Sequence, residues 1–252
     1  MSDLRIVTAG APLAGPADLS VVPGGVAPPV EPAAILVDKP PGVTSFGVVK
    51  KVRWAVGVKK VGHAGTLDPM ATGLLIVLVG RGATRQQARF MGLPKVYTGT
   101  VRLGQTTASY DADTPVETEA DASGVTNDEI DAALATLTGE ILQRPPVYSA
   151  IKRGGERLYK KARRGETVEV EPRPTVVTEF VVTERRGDHL DVRVACSKGT
   201  YVRSLAHDLG AALGVGGHLT ALRREAIGPF SVDEAWALDA LVDAARAGAP
   251  SA

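Results

Sequence analysis

The sequence contains a single cysteine, Cys196. That excludes an internal disulfide framework and any zinc site built from several cysteines, and it fits a reducing compartment. Long apolar runs are also missing. The longest, Leu74 to Val79, has six residues, against the roughly 20 that a membrane-spanning helix needs. The opening Met1-Ser2-Asp3-Leu4-Arg5 lacks the basic-then-apolar layout of a secretory signal. A cytoplasmic protein with no membrane partner is expected. No G-x-x-x-x-G-K-[ST] phosphate loop and no G-x-G-x-x-G fingerprint occurs on a strand–helix turn, so neither nucleotide nor dinucleotide binding is indicated. The four histidines (His63, His189, His207 and His218) show no H-x-x-x-H pairing, and no metal site is expected.

Positive charge is missing from one stretch only. Leu103 to Gln143 contains no Lys or Arg but nine acids. With 29 basic and 28 acidic residues in total, the remainder carries 29 − 19 = +10. Within it, Lys152 to Arg164 holds seven basic residues and one acid, Glu156. A near-neutral total is therefore compatible with a polyanionic partner, provided the cations share a face. A solvated basic surface is the alternative.

The 252 residues suffice for one large domain, and an apolar content of 44% supplies a core. Residues 1–34 read as a flexible tail, since 17 of them are Ala, Gly or Pro with no apolar periodicity. Order is expected from Ala34, with a strand stopped by Pro40-Pro41-Gly42. Thr44 or Ser45 caps a helix carrying Val48, Val49, Val52 and Val56 on one face, closed by Gly57. Val61 to Pro69 reads as a Gly-rich loop, Gly73 to Val79 as a buried strand, and Val96 to Leu103 as a strand with Tyr97, Gly99, Val101 and Leu103 on one face. Residues 105–125 read mostly as loop. Thr126-Asn127-Asp128-Glu129 is a capping box that starts a helix with Ile130, Leu134 and Leu137. Thr175 to Glu184 and His189 to Cys196 form a hairpin, and Val202, Leu205, Leu209 and Leu213 a helix. Strands in hairpin-like pairs with a few helices between them favour an α+β domain on a largely antiparallel, mixed sheet.

Three segments carry chemistry. In Gly62-His63-Ala64-Gly65-Thr66-Leu67-Asp68-Pro69, an Asp held between a Gly-rich turn and a proline sits on rigid, exposed backbone. That is a sound mount for a carboxylate nucleophile, although a turn Asp can equally cap its own backbone. In Cys196 to Arg203, a helix start suits an anion, Arg203 can orient a carboxylate, and Tyr201 offers a face for a base. Around the basic segment, Tyr148 and Tyr159 interleave with cations, as suits phosphates and unstacked bases. Arg223 and Arg224 add further charge. Ser204, His207 and Asp208 share one helix, where triad geometry is rarely available.

In this order the segments resemble the bacterial tRNA pseudouridine synthase family called TruB. Six collinear stretches carry the resemblance, from about Ile35 to Phe230: Val37 to Ser45, Gly62 to Gly73, Arg102 to Thr107, Pro146 to Lys152, Cys196 to Arg203, and His218 to Arg224. The resemblance implies a pseudouridine synthase fold over residues 35–230, with a basic RNA-gripping insertion at about 144–172 and a short extension, 231–252. The insertion is expected to be mobile without RNA and to order on binding. The implied activity is isomerisation of the T-loop uridine at tRNA position 55 to pseudouridine, with no cofactor, acting on the T stem-loop as a monomer. Asp68 matches the catalytic aspartate, which would attack ribose C1′ or uracil C6. Tyr97 matches the tyrosine that stacks on the flipped base and assists proton removal at C5, and Arg203 the arginine that pairs with the aspartate. Tyr201 and Leu222 match residues lining the uracil pocket, His63 one that packs against the T loop, and Lys39 and Pro40 a support for the catalytic loop. Lys152, Arg153, Lys160 and Lys161 fall in the RNA-gripping insertion. Many relatives add a C-terminal domain of the PUA type. Only 22 residues follow Phe230, so that domain is expected to be absent, with one short helix over Val232–Ala245. Ala64 stands where many relatives have Thr. Two alternatives remain: a non-catalytic RNA-binding or tRNA-folding protein on the same scaffold, and a synthase for another RNA, such as a guide-RNA-dependent relative.

Overall fold

The computed structural model describes residues 5–7, 32–149, 152–153, 156–157, 164 and 170–247. Along the chain run β1 (Arg5–Val7), β2 (Ala33–Lys39), α1 (Ser45–Ala55), β3 (Val61–Ala64), β4 (Thr72–Val79), α2 (Gly80–Thr84), α3 (Gln87–Met91), β5 (Lys95–Leu103), β6 (Gln105–Thr107) and β7 (Val116–Glu119). They are followed by α4 (Asn127–Thr136), β8 (Gly139–Gln143), β9 (Lys152–Arg153), β10 (Glu156–Arg157), β11 (Arg173–Arg186), β12 (His189–Cys196), α5 (Val202–Ala212), β13 (Gly217–Ile227), β14 (Phe230–Ser231), β15 (Trp236–Ala237) and α6 (Leu238–Ala247). The chain folds as two compact units, residues 1–93 with 223–252, and residues 94–222. Among the described residues no helix is long and apolar enough to cross a membrane.

In the first unit β4 is the central strand. It pairs antiparallel with β2 (Leu36 opposite Ile76) and with β3 (His63 opposite Val77), and parallel with the Arg223–Arg224 part of β13. The β2 and β4 sequences are apolar on both faces because both faces are covered. Ile35, Val37, Leu75 and Val77 pack on Val48 and Val52 of α1 and on Leu238 and Leu241 of α6. Leu36, Leu74, Ile76 and Leu78 pack on Ala83, Phe90 and Ile227. Helix α1 starts where Thr44 Oγ1 accepts the Gly47 N–H at 2.9 Å, and Gly57 beyond its end has φ +66°.

In the second unit β5, β12, β11 and β8 are joined antiparallel, with Tyr97 opposite Val194 and Val177 opposite Gly139. Along β12 each second side chain is buried, as the strict alternation in its sequence requires. The Thr126–Glu129 capping box forms at the head of α4. The result is an α+β architecture with mixed strand pairing and flanking helices, as the sequence indicates.

Several details differ from the sequence reading. Arg5–Val7, inside the segment read as a tail, pairs parallel with Ala33–Ile35; residues 1–4 and 8–31 lie outside the described residues. Val61–Ala64 is strand rather than loop, because its backbone groups pair with β4. The acidic stretch contains the β6–β7 hairpin. The last helix begins at Leu238, not Val232. The Ser231 cap forms only a 3-10 turn, Val232–Glu234, and Trp236–Ala237 then pair with β2. Leu238, Leu241 and Ala245 are core residues of the first unit, so residues 238–245 are integral to that unit and not an appendage.

Candidate active site

Asp68 lies on the turn between β3 and β4, in the first unit. The turn is gripped by its backbone at several points. The Ser45 hydroxyl donates to Leu67 O at 3.0 Å and accepts the Leu67 N–H at 2.8 Å. Ala71 N–H donates to Asp68 O at 3.1 Å and Gly42 N–H to Pro69 O at 2.8 Å. Lys39, fully enclosed, donates through Nζ to Val43 O (2.7 Å), Pro40 O (3.0 Å) and Pro69 O (3.2 Å). Burial pulls its pKa down to about 8; the Asp68 carboxylate pushes it back up, and the Arg224 guanidinium lowers it. Arg224, also buried, donates from Nε to Leu74 O at 2.7 Å and from a terminal nitrogen to Gly65 O at 3.0 Å. Two buried cations thus lie beneath the turn, bonded to carbonyls. Gly73 allows the close fit. Its φ is +96°, and a Cβ there would lie 2.3 Å from the Arg224 carbonyl oxygen.

Arg223 and Arg224, read from the sequence as added charge, are both engaged within the fold. Arg224 is internal, and Arg223 forms a two-pronged pair with Asp38 at 3.0 and 2.8 Å. Both lie on a strand, where alternate residues take opposite faces.

His63 is half-buried on β3, one edge of a polar groove of about 550 Å³ lined also by Lys60, Arg81, Arg85 and Gln87. Burial, then the charge of Arg224, lowers the His63 pKa, so the ring is neutral near pH 7. The sequence reading missed Lys60, Arg81 and Arg85 because they are scattered over a turn and a helix, with no run of charge.

Arg203, Tyr97, Tyr201 and Leu222 belong to the second unit. Arg203 is 4% exposed. Its guanidinium donates to Ser109 O at 2.8 Å and Tyr148 O at 3.0 Å, and Nε lies 3.4 Å from Asp111 Oδ2. Asp111 is the residue that sequence reasoning missed. It sits in the acidic stretch read as loop, and only its burial, 1% exposed, distinguishes it from its neighbours. Its other oxygen takes the Asp113 N–H at 3.0 Å and the Ser109 hydroxyl at 2.5 Å.

Tyr201 caps α5, but its own N–H is taken by Gln143 Oε1 at 2.7 Å, and Gln143 Nε2 donates back to Tyr201 O at 3.0 Å. Gln143 thus holds the tyrosine backbone from both sides. Tyr97 is buried on β5. Two residues on, on the same face, a Cβ on Gly99 would meet Leu222 Cδ1 at 3.5 Å and the Ala221 carbonyl at 2.7 Å. Glycine at 99 lets residues 221–222 lie against β5, and this brings Leu222 to the Tyr97 face. Lys152 and Arg153 lie on the short β9 strand, paired with β10. Lys160 and Lys161 lie outside the described residues.

The chain and its fold match proteins of known family. A solved chain from a Cbf5-Nop10-Gar1 complex is 36% identical with a TM-score of 0.65, over 83% of this chain and 53% of that one. The present chain thus spans about half the length of that solved chain. The fold is that of the pseudouridine synthases. The TruB family pseudouridylate synthase model (N-terminal domain) matches residues 53–202, and the tRNA pseudouridylate synthase B C-terminal domain model matches residues 203–249. Among curated relatives, the tRNA pseudouridine synthase B of Corynebacterium efficiens is 52% identical over 216 residues, 84% of this chain and 72% of that protein. That of Nocardia farcinica is 52% identical over 84% of this chain and 70% of its own. The chain belongs to the TruB family.

Proposed function

We propose that this protein isomerises a tRNA uridine to pseudouridine, that the target is the T-loop uridine at position 55, and that Asp68 is the nucleophile. The observation that carries the proposal is the Asp68 turn, which is held through its main chain by Ser45, Lys39 and Arg224. Its relatives' names supply the tRNA substrate.

A stacked uridine hides C1′ and C6, so the base must leave the stack before any side chain reaches it. The Asp68 carboxylate then attacks C1′ or C6. The N1–C1′ bond breaks, a C5–C1′ bond forms, the bond to Asp68 is broken again to return the carboxylate, the C5 hydrogen leaves as a proton, and N1 takes one up. Substrate and product are isomers, so the balance needs no redox partner. Tyr97 stacks on the base and assists removal of that proton, Arg203 supplies the orienting cation, and Tyr201 and Leu222 line the uracil pocket. His63 packs against the T loop, and the groove of Lys60, Arg81 and Arg85 beside it suits RNA phosphates. Lys152, Arg153, Lys160 and Lys161 add to the RNA grip. The proposed enzyme acts as a monomer in the cytoplasm.

The test is tritium release from a tRNA transcript labelled at uridine C5, for wild type and Asp68→Ala. Release by wild type that disappears in the variant, with tRNA binding retained, is the expected result. Equal release from both proteins would remove Asp68 from the mechanism. No release by folded, tRNA-binding wild type would favour the binding-only reading. A second reading, a synthase that works inside a larger assembly, is suggested by the Cbf5-Nop10-Gar1 complex. Activity on bare transcript, without added protein or guide RNA, argues against it.

A further inference from the structure

Among the described residues Tyr110 is the one non-glycine residue with positive φ, +63°. L side chains rarely adopt that conformation, and where one persists the surroundings over-determine it. Here the surroundings are specific. The Tyr110 ring stacks on His207 with centroids 3.9 Å apart and planes 10° from parallel. Its carbonyl accepts the Leu219 N–H at 3.0 Å. The two residues that flank it, Ser109 and Asp111, are those that grip Arg203 by a carbonyl and a carboxylate. His207 in turn stands one turn beyond Arg203 on α5, on the same helix face. Stack and grip therefore join the same loop to the same helix at adjacent points.

We infer that the Tyr110–His207 stack is a positioning device for Arg203: it locks the left-handed turn that aims the Ser109 carbonyl and the Asp111 carboxylate at the guanidinium. The inference rests on the reading that Arg203 serves the isomerisation. Tyr110 and His207 touch no reacting atom in this scheme and act through Arg203. Ser204, on the same helix, has a separate structural task, donating to Arg144 O at 2.8 Å.

Three substitutions at position 110 separate ring from backbone. Tyr110→Phe keeps the ring, Tyr110→Ala loses it and keeps the strained φ, and Tyr110→Gly loses it while relaxing the φ. His207→Phe and His207→Ala complete the set. The readouts are the single-turnover rate of tritium release, the tRNA Kd by filter binding, the melting temperature, and hydrogen-exchange protection of the Arg203 Nε–H by NMR. Both Ala variants and Tyr110→Gly should slow release about tenfold, the size of one aromatic pair, with Kd unchanged, while both Phe variants restore the rate. The double Ala variant should be no slower than the worse single one, because the two share one contact.

A wild-type rate for Tyr110→Gly would show that the turn alone matters and would overturn the role of the stack. So would wild-type rates in the Ala variants, or a loss confined to Kd. If an Ala variant fails to fold, the Gly and Phe variants still decide. Should wild type itself release no tritium, the functional reading fails. The positioning inference is then judged by exchange at Arg203 alone, where protection must fall in the Ala and Gly variants and hold in the Phe variants; unchanged protection overturns it.

Discussion

The turn that carries Asp68 and the cradle that carries Arg203 are immobilised in opposite ways. The turn is held through carbonyls and an N–H by partners that lie 22, 30 and 159 residues away in sequence. The arginine is held by its own side chain, between two carbonyls and the buried Asp111. The difference follows from the chemistry assigned to each. For the role proposed for Asp68, main-chain anchoring fixes the point from which its carboxylate is presented. A buried guanidinium needs its charge met, because burying it without a counter-charge is costly.

This contrast sets the expected order of mutational effects. The largest belongs to the backbone-held turn. Gly73→Ala places a Cβ 2.3 Å from the Arg224 carbonyl oxygen at φ +96°, and should cost about 4 kcal/mol from strain and overpacking together. Urea unfolding would measure it, and a loss under 1 kcal/mol would mean that the turn is not tightly seated on Arg224.

Next comes the side-chain-held cradle. Asp111→Asn keeps the shape but removes a buried counter-charge from a guanidinium that is 4% exposed. The expected cost is about 3 kcal/mol, together with slower release at unchanged tRNA Kd. Unchanged stability would place the neutralising charge elsewhere.

Ser45→Ala is expected to cost about 1–2 kcal/mol, because it removes a reciprocal pair of hydrogen bonds to Leu67. If the backbone grip matters to catalysis, the release rate falls while tRNA binding stays. A fall in binding alone would argue that the turn is set by RNA rather than by Ser45.

The smallest effect depends on pH. Burial pushes the Asp208 pKa up from 3.8 to about 6, partly opposed by Arg144. The folded state then binds the proton more tightly than the unfolded chain. Its contribution to stability is full below pH 4 and is lost as pH rises through 6. Asp208→Asn should therefore match wild type near pH 4 and melt higher at pH 7. The gain should be about 1 kcal/mol once solvent screening is allowed for. Equal melting curves at both pH values would show that Asp208 is well solvated.

Much of the molecule was legible in the chain because the relevant signals are local. The buried runs 34–37 and 74–79, the alternation along 189–196, the Thr44 and Thr126 caps and the Gly57 stop each reside within a few residues, and each appears in the structure. The Asp68 segment stood out for the same reason: a Gly-rich turn ending in proline is a local mount. What stayed hidden was partnership. Arg223 and Arg224 read simply as added positive charge, because only the tertiary pairing shows Arg224 enclosed among carbonyls and Arg223 paired with Asp38. The C-terminal helix read as an extension, because its apolar face acquires meaning only against α1 and β2.

By itself, the sequence determined where most of the longer strands and helices form, which turn carries Asp68, and that cations and acids are segregated along the chain. The tertiary structure decided which of nine look-alike acids in Leu103–Gln143 is buried against Arg203, which cations are free to meet RNA, and how Tyr110 can hold a conformation its own side chain disfavours. Propensity and capping act over a turn or two of chain. The fate of a charge depends on burial and on the partner it finds there, and those partners lie up to 159 residues away.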